Sequence, residues 1–242
     1  MIFSAIMRRH ITTLLLATIM PLMALAQVQR YELNLGQFDN VRVLNDIPVD
    51  IVCNADSAGK VIFFAEDKAV NRIILSNNSK GKLTIQTDNT IDPISLPKLK
   101  VFVAQLSQVE NASDSSIVTT YMNALNTPEL KIKTSNNGSI TVKDINASIA
   151  DISVNTGRGH IAVSGKCQEL NLSNVGTGEI DAYALSAVNV KCRIVGTGSV
   201  SCTVDGGTLQ LRGSGTGKLY YKGKPSSVSV KKLGTLKAIP MD

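Results

Sequence analysis

The 242-residue sequence predicts an all-β protein, a β-solenoid whose coils are about 20 residues long. Three observations lead to this fold class. Turns recur at a regular interval in the second half, a strand of alternating apolar and polar residues precedes most of these turns, and no break in composition separates the two halves. A chain of this length can bury one large core.

The repeat begins near Ser107, where each turn is followed by a small or polar residue and then an aliphatic one. The aliphatic positions are spaced 23, 21, 19, 20 and 19 residues apart: Ile117, Ile140, Ile161, Ile180, Val200 and Leu219. Three turns contain Gly-Thr-Gly, at 176–178, 196–198 and 215–217, and glycine suits corners because it takes positive φ at little cost. Since one such coil cannot bury its aliphatic residues alone, we expect coils stacked about 4.8 Å apart.

The competing architecture is an antiparallel sandwich, because Asn137-Gly138 is a strong hairpin signal. A period near 20 residues, rather than near 10, favours the solenoid. We predict repeat coils over 106–225, after an irregular β-rich part at 27–105 and before a C-terminal cap at 226–242. No Gly/Ser linker divides these parts, so 27–242 is predicted to be a single domain.

Residues 1–26 predict a secretory signal peptide. Two arginines precede an apolar run from Ile11 to Met23, and Ala24-Leu25-Ala26 follows as a cleavage pattern. The run is shorter than the roughly 20 residues of a membrane span, although a retained anchor is the alternative. We therefore expect an exported protein in the periplasm or on the outer surface, with no transmembrane segment after signal removal.

The charge of the exported part is modest. The signal segment contains two arginines and no acids, so its removal lowers the formal charge from +6 to +4. The basic residues are spread along the mature chain, where Lys231-Lys232 is the one adjacent pair. This spread predicts no nucleic-acid partner, because phosphate-binding surfaces concentrate their cations. The sequence leaves the oligomeric state open.

Four cysteines lie in the exported part, where disulfides can form: Cys53, Cys167, Cys192 and Cys202. Cys192 and Cys202 would face each other in a hairpin but would lie on different sides of a solenoid coil. The other interpretation is that all four are small buried apolar side chains. The sequence does not decide between these disulfide states.

A polysaccharide-cleaving enzyme is the rival function, because pectin lyases and polygalacturonases also use β-helices. Their sites cluster Asp residues, usually near Lys, Arg or His. Gly159-His160 and Arg193-Ile194 resemble pieces of such a site, and the nearest carboxylates in sequence are Asp144, Asp151, Glu179 and Asp181. No two of these carboxylates are adjacent, and His160 follows a turn glycine as a solvated corner residue would. We therefore predict no catalytic, cofactor-binding or metal-binding residues.

Two further patterns concern the surface. The Gly-Thr-Gly turns have strands on both sides, whereas a phosphate-binding loop precedes a helix. If the coils stack, outward polar residues form rows that we interpret as a hydrated face: Lys131, Lys133, Ser153, Asn171, Ser173, Lys191 and Gln210. Trp is absent and aromatic residues make up 4% of the chain, so flat stacking platforms for sugars or single-stranded nucleic acid are scarce.

Several segments together resemble the putative auto-transporter adhesin head GIN domain family, over roughly Val28 to Ile239. They are Phe38-Asp39-Asn40-Val41-Arg42-Val43, Pro48-Val49-Asp50-Ile51-Val52, Leu99-Lys100-Val101-Phe102-Val103, Leu106-Ser107-Gln108-Val109, Asn174-Val175-Gly176-Thr177-Gly178 and Ser214-Gly215-Thr216-Gly217. One departure is Ser115-Ser116 in the first coil, where the family has a glycine turn. The resemblance implies a right-handed, parallel β-helix-like, non-enzymatic protein of the cell envelope or surface, with an unknown ligand there. The family is common in Bacteroidetes and brings no catalytic residues.

Overall fold

The structure, a computed structural model, describes residues 28–88 and 95–241. The chain is nearly all-β, with 66% strand and 2% helix, and forms a solenoid of about 7 turns with coils of roughly 20 residues. This confirms the predicted fold class. The predicted signal peptide at 1–26 lies outside the described residues. Within the described ranges, no helix is long and apolar enough to cross a membrane.

Eighteen strands and one short helix follow each other along the described chain. The helix is α1 (Asp67–Val70), and the strands are β1 (Gln29–Asn34), β2 (Asn40–Val43), β3 (Val49–Cys53), β4 (Lys60–Ala65), β5 (Ile73–Asn77), β6 (Lys82–Thr87), β7 (Leu99–Val103), β8 (Gln108–Asn111), β9 (Ile117–Tyr121), β10 (Asn126–Thr134), β11 (Ser139–Val154), β12 (His160–Gly176), β13 (Glu179–Gly196), β14 (Ser199–Val204), β15 (Thr208–Gly215), β16 (Lys218–Gly223), β17 (Ser227–Gly234) and β18 (Lys237–Pro240).

Two columns of parallel strands form the walls of the solenoid. In spatial order, the first column contains β6, β2, β8, β10, β11, β12, β13, β15 and β17. The second column contains β7, β3, β9, β11, β12, β13, β14, β16 and β18. Strands β11, β12 and β13 bend at a corner and belong to both columns. This parallel stacking excludes the antiparallel sandwich.

The N-terminal strands enter these columns out of sequence order. Strand β2 pairs with both β6 and β8, and β3 pairs with both β7 and β9. The layer made by β6 and β7 therefore lies beyond the layer made by β2 and β3. Beyond it, β5 runs antiparallel to β6, β4 antiparallel to β7, and β1 antiparallel to β4. The irregular part of the fold thus contains regular stacked strands with an antiparallel cover.

The repeated aliphatic residues form the core, with one exception. Five of the six predicted positions are fully buried: Ile140, Ile161, Ile180, Val200 and Leu219. The first position is wrong, because the Ile117 side chain is 56% exposed and Val118 is fully buried in its place. Register confirms this, since Val118 lies beside Ile140. The cause lies in the serine turn: Ser116 is buried and donates a hydrogen bond to Asn111 Oδ1 (3.3 Å), so alternation turns Ile117 outward.

The Gly-Thr-Gly corners lie directly on one another. Gly196 has φ +121°, and a Cβ atom there would overlap the carbonyl oxygen of Gly176. At Gly198, a Cβ would lie 2.6 Å from the carbonyl oxygen of Gly178. Real Cβ atoms do not approach an oxygen so closely. The repeated glycines are therefore required by backbone contact between successive coils.

All four cysteines are free and buried. Cys192 lies in the first column and Cys202 in the second, so they occupy different sides of the coil. Burial raises the pKa of the Cys53 thiol to about 11, and those of Cys167 and Cys202 to about 12. These thiols behave as small apolar core residues.

Candidate functional site

The histidine and two of the carboxylates considered for an enzyme site lie on the second column. His160 and Glu179 are neighbours there, with 3.5 Å between Nδ1 and Oε2, and both side chains are exposed. Asp181 lies on the same column, where it accepts hydrogen bonds from Ser201 Oγ (2.8 Å) and from the Tyr183 backbone N–H (3.1 Å). Both contacts are to Oδ1, so one oxygen of the Asp181 carboxylate is bound to its own coil and to the next one.

The other candidates lie elsewhere on the solenoid. Asp151 and Arg193 are on the first column, and Asp144 is at a bend, with φ 60°. The set weighed as a polygalacturonase-like site therefore does not converge on one point. Across residues 28–88 and 95–241, no group of three or more His, Cys, Asp or Glu residues could hold a metal ion.

The predicted polar rows are present, and both lie on the outer face of the first column. Row one contains Lys131, Asp151, Asn171, Lys191 and Gln210. Row two contains Lys133, Ser153, Ser173, Arg193 and Arg212. The residues between the rows point inward and are buried: Ile132, Ile152, Leu172, Cys192 and Leu211. Because outward and inward residues alternate along each strand, both polar rows lie directly over the buried core.

A groove of about 480 Å³ lies over these rows. We call it the row groove and define it by six of its lining residues: Ser153, Asn171, Ser173, Lys191, Arg193 and Arg212. Its origin is in row two, where two successive coils carry serine between Lys133 on one side and Arg193 on the other. Because long side chains flank the short ones, the serines leave a depression.

The cations of the two rows differ in their partners. Each row lysine has a carboxylate within ion-pair distance: Lys131 with Glu129 (2.9 Å), Lys133 with Glu110 (3.4 Å) and Lys191 with Glu169 (3.6 Å). Lys131 also lowers the pKa of Glu129 by donating a hydrogen bond to it. Within the described part of the chain, Arg193 and Arg212 have no such carboxylate, and both are exposed. The groove thus has two arginines free to bind an anion.

Polar side chains of both rows line the groove together with the inward residues Ile152, Leu172 and Cys192. Asn171 donates a hydrogen bond to Asp151 (2.7 Å) across the coils. The hydroxyls of Ser153 and Ser173 lie in the adjoining row, half-buried. None of the residues that line the groove is aromatic. The arrangement offers hydrogen-bond donors and acceptors beside two arginines.

Charge is divided unequally along the chain. Residues 191–242 contain nine basic and two acidic residues, a formal charge of +7. Residues 28–190 contain fourteen basic and seventeen acidic residues, a formal charge of −3. The row groove lies where the basic part begins, so its arginines add to a wider positive field.

Sequence reasoning missed the groove although it found most of its residues. Arg193 was noted as a piece of an enzyme site, and Arg212 was not singled out. The available signal was the coil period: aligning the chain on its repeat places Ser153, Ser173, Arg193 and Arg212 in one row. A depression between rows depends on which side chains are short, and this is visible once the register is known.

Comparison with known proteins places the chain among adhesin-related sequences. The family described as "putative auto-transporter adhesin, head GIN domain" matches residues 37–225. None of the curated proteins matches the chain.

Solved structures share the fold. A putative adhesin from Bacteroides fragilis has a TM-score of 0.75 at 17% identity, covering 89% of this chain and 97% of that one. A putative adhesin from Parabacteroides merdae has a TM-score of 0.64 at 16% identity, with the same coverage of 89% and 97%. A putative lipid binding protein from Parabacteroides distasonis has a TM-score of 0.62 at 17% identity, again covering 89% and 97%.

Proposed function

Because the chain belongs to the putative auto-transporter adhesin, head GIN domain family, we propose that it is an exported, non-enzymatic adhesin-like protein of the cell surface. The observation that carries the proposal is the outer face of the first column. There, two rows of polar side chains are held in register over a packed core and enclose the row groove. This is a preformed surface of the kind that binding proteins use.

The packing of the solenoid supports binding at its surface. The inward residues of the rows are buried at 3% exposure or less: Ile132, Ile152, Leu172, Cys192 and Leu211. Each coil contacts its neighbours through parallel backbone pairing, as repeat proteins do. A packed core of this kind holds the backbone of the rows in place, so the entropy lost on binding comes from ordering exposed side chains rather than the backbone.

Export is supported by the N-terminal sequence, where two arginines, an apolar run and Ala24-Leu25-Ala26 form the pattern of a signal peptide. A non-enzymatic role is supported by the family, which is described as a putative adhesin domain. The candidate carboxylates are divided between the columns, with Glu179 and Asp181 near His160 on the second and Asp151 on the first.

Protease treatment of intact cells tests the surface location. The full chain would be produced in its own bacterium, and cells would be exposed to an external protease before and after the envelope is opened. We expect the protein to be degraded on intact cells, while a periplasmic marker survives. A matched variant lacking residues 1–26 should stay protected until the cells are lysed.

Attachment provides the second measurement. Cells that carry the full chain should adhere to a glycan-coated or host-cell surface more strongly than cells from which it is deleted. Protection of the full chain until the envelope is broken, or equal attachment with and without it, would contradict the proposal.

A further inference from the structure

We propose that the row groove binds an anionic glycan, a polysaccharide whose sugars carry carboxylate or sulfate groups. This inference rests on the proposed surface function and specifies its ligand. The arrangement that carries it is a pair of uncompensated arginines beside a floor of serine, asparagine and aspartate side chains on a packed core.

The arginines supply the anion-binding part. Arg193 and Arg212 are partners in the β13–β15 register, and neighbouring strands lie about 4.8 Å apart. Their guanidinium groups can therefore reach one anionic group together or two successive ones. Arginine forms paired hydrogen bonds to carboxylates and similar oxyanions. Since no carboxylate in the described chain neutralises either residue, this capacity is available to a ligand.

The floor supplies the sugar-binding part. Ser173 is the partner of Arg193 in the next coil, and Ser153 is one coil further. Asn171 and Asp151 are hydrogen-bonded to each other in the adjacent row. Hydroxyl, amide and carboxylate groups exchange hydrogen bonds with sugar hydroxyls in both directions. A glycan bound to the arginines at one end would therefore contact hydroxyl-binding side chains over the next two coils.

The same features disfavour other polyanions. No aromatic side chain lines the groove, whereas single-stranded nucleic acids are held by stacking on aromatic rings. Membrane binding would need apolar side chains that project beside the cations. The apolar residues that line the groove, Ile152, Leu172 and Cys192, are instead buried at 3% exposure or less. An anionic glycan needs neither stacking nor an apolar contact.

The second column provides a matched control. Lys218 and Lys237 are register partners on the second column and are exposed. Removing these two charges lowers the net charge as much as removing the two groove arginines, and in nearby coils. A loss specific to the groove is therefore separable from a loss of general positive charge.

Calorimetric titration of the exported, purified chain tests the proposal at physiological salt. The probes are heparin oligosaccharides for sulfate, oligogalacturonate for carboxylate, and dextran as the neutral control. We expect at least one anionic probe to bind and dextran not to bind. Arg193→Gln with Arg212→Gln should weaken binding at least tenfold, and Lys218→Gln with Lys237→Gln less than threefold.

A charge-neutral variant completes the design. Ser153→Tyr with Ser173→Tyr fills the floor without changing any charge, and should also weaken binding at least tenfold. Each variant's unfolding midpoint would confirm that it folds, and because Arg193 and Arg212 are exposed, their variant should keep the wild-type midpoint.

Several results would overturn the inference. They are equal losses in the two charge variants, unchanged binding when the floor is filled, no binding to either anionic probe, and tighter binding to single-stranded DNA or to phosphatidylglycerol vesicles. Failure here is distinguishable from failure of the proposed function. If intact cells expose the protein and attach through it while the groove variants behave as wild type, the surface function stands and the glycan site does not.

Discussion

The N-terminal part of the solenoid and its regular ladder use the same two columns of strands but reach them differently. From β1 to β9, strands pair across long stretches of chain, as where Asn40 lies beside Gln108. From β10 to β18, each strand pairs with the next coil, as where Asn171 lies beside Lys191. The N-terminal end also has an antiparallel cover, whereas β17 at the other end is exposed along its whole length.

This difference separates two tasks. The interleaved strands close one end of the rod, as a terminal cap must in a repeat protein. The regular ladder brings equivalent positions of successive coils into rows, and the row groove lies within these rows. Regularity that stabilises the ladder also makes its surface suitable for an extended ligand.

The largest expected effect comes from adding a methyl group to a ladder glycine. Gly196→Ala would place Cβ against the Gly176 carbonyl oxygen at φ +121°, which forces two coils apart. We expect a loss of more than about 4 kcal/mol in the free energy of unfolding, measured by urea denaturation.

A glycine in the N-terminal part is the matched control. Gly36 also has positive φ, +76°, but the nearest atom to an added Cβ is Asn77 Nδ2 at 3.9 Å. Gly36→Ala should therefore lower the free energy of unfolding only by the cost of placing alanine in a left-handed backbone conformation, about 1–2 kcal/mol. Similar losses for the two variants would show that stacking contact does not distinguish the two parts.

The next effect compares two buried asparagines. Asn111, where the two parts meet, donates to the carbonyl oxygens of Ser116 and Ser139 and accepts three hydrogen bonds from Ser113 and Ser116. Asn174, within the ladder, donates to the carbonyl oxygens of Gly178 in its own turn and of Ser199 in the next coil. An unsatisfied buried polar group costs about 1–3 kcal/mol. We therefore expect the free energy of unfolding to fall by about 4 kcal/mol in Asn111→Ala and by about 2 kcal/mol in Asn174→Ala.

Denaturation of both variants under the same conditions measures this difference. Each substitution removes one amide from a buried position, so the change in side-chain volume is matched. An equal or larger loss for Asn174→Ala would mean that the junction is no more dependent on its polar network than the ladder is.

Ionisation of the buried thiols should have a smaller effect, which makes the free energy of unfolding depend on pH. Burial raises the pKa of Cys53 to about 11 and that of Cys167 to about 12, whereas an unfolded thiol ionises near pH 8.5. Above that pH the unfolded state loses protons that the folded state keeps, so the free energy of unfolding falls as pH rises. The slope approaches about 1.4 kcal/mol per pH unit for each thiol until the folded thiols ionise.

Urea denaturation between pH 8 and 10.5 checks this sign. Cys53→Ala in the N-terminal part and Cys167→Ala in the ladder should each flatten the wild-type decline by a similar amount, because each removes one of the four buried thiols. A decline as steep as that of the wild type in either variant would show that its thiol ionises in the folded protein.

The smallest effect is expected on the second column. His160 and Glu179 form an exposed pair 3.5 Å apart, and such pairs contribute at most about 1 kcal/mol. His160→Ala should change the free energy of unfolding by less than about 0.5 kcal/mol and leave glycan binding unchanged. A large loss of binding would move the functional surface to the second column.

The ladder was predictable from the sequence because its signals are local. The repeat spacing identified five of six core positions, and the glycine corners marked the bends. The position at Ile117 was wrong because buried Ser116 takes the place that Gly138 has in the next coil, so the core residue in register is Val118. The order of the N-terminal layers was not predicted, since β2 and β6 are short alternating strands that carry no information about distant partners.

The candidate site was half predictable for the same reason. Alternation placed Ser153, Asn171, Ser173 and Lys191 on the outside, and the period placed them in rows. Whether the rows form a hydrated face or a groove depends on the neighbours of each short side chain. It also depends on which cations have carboxylates nearby: Lys191 has Glu169, whereas Arg193 has none among the residues that the structure describes.

Mapping the bound ligand by NMR tests the central claim, that the regular ladder carries the binding surface, most directly. Heparin oligosaccharide would be titrated into the isotope-labelled chain and amide shift changes followed residue by residue. We predict changes concentrated at Ser153, Ser173, Arg193 and Arg212, on the first column. Changes concentrated at Lys218 and Lys237, or spread evenly over both columns, would contradict the account.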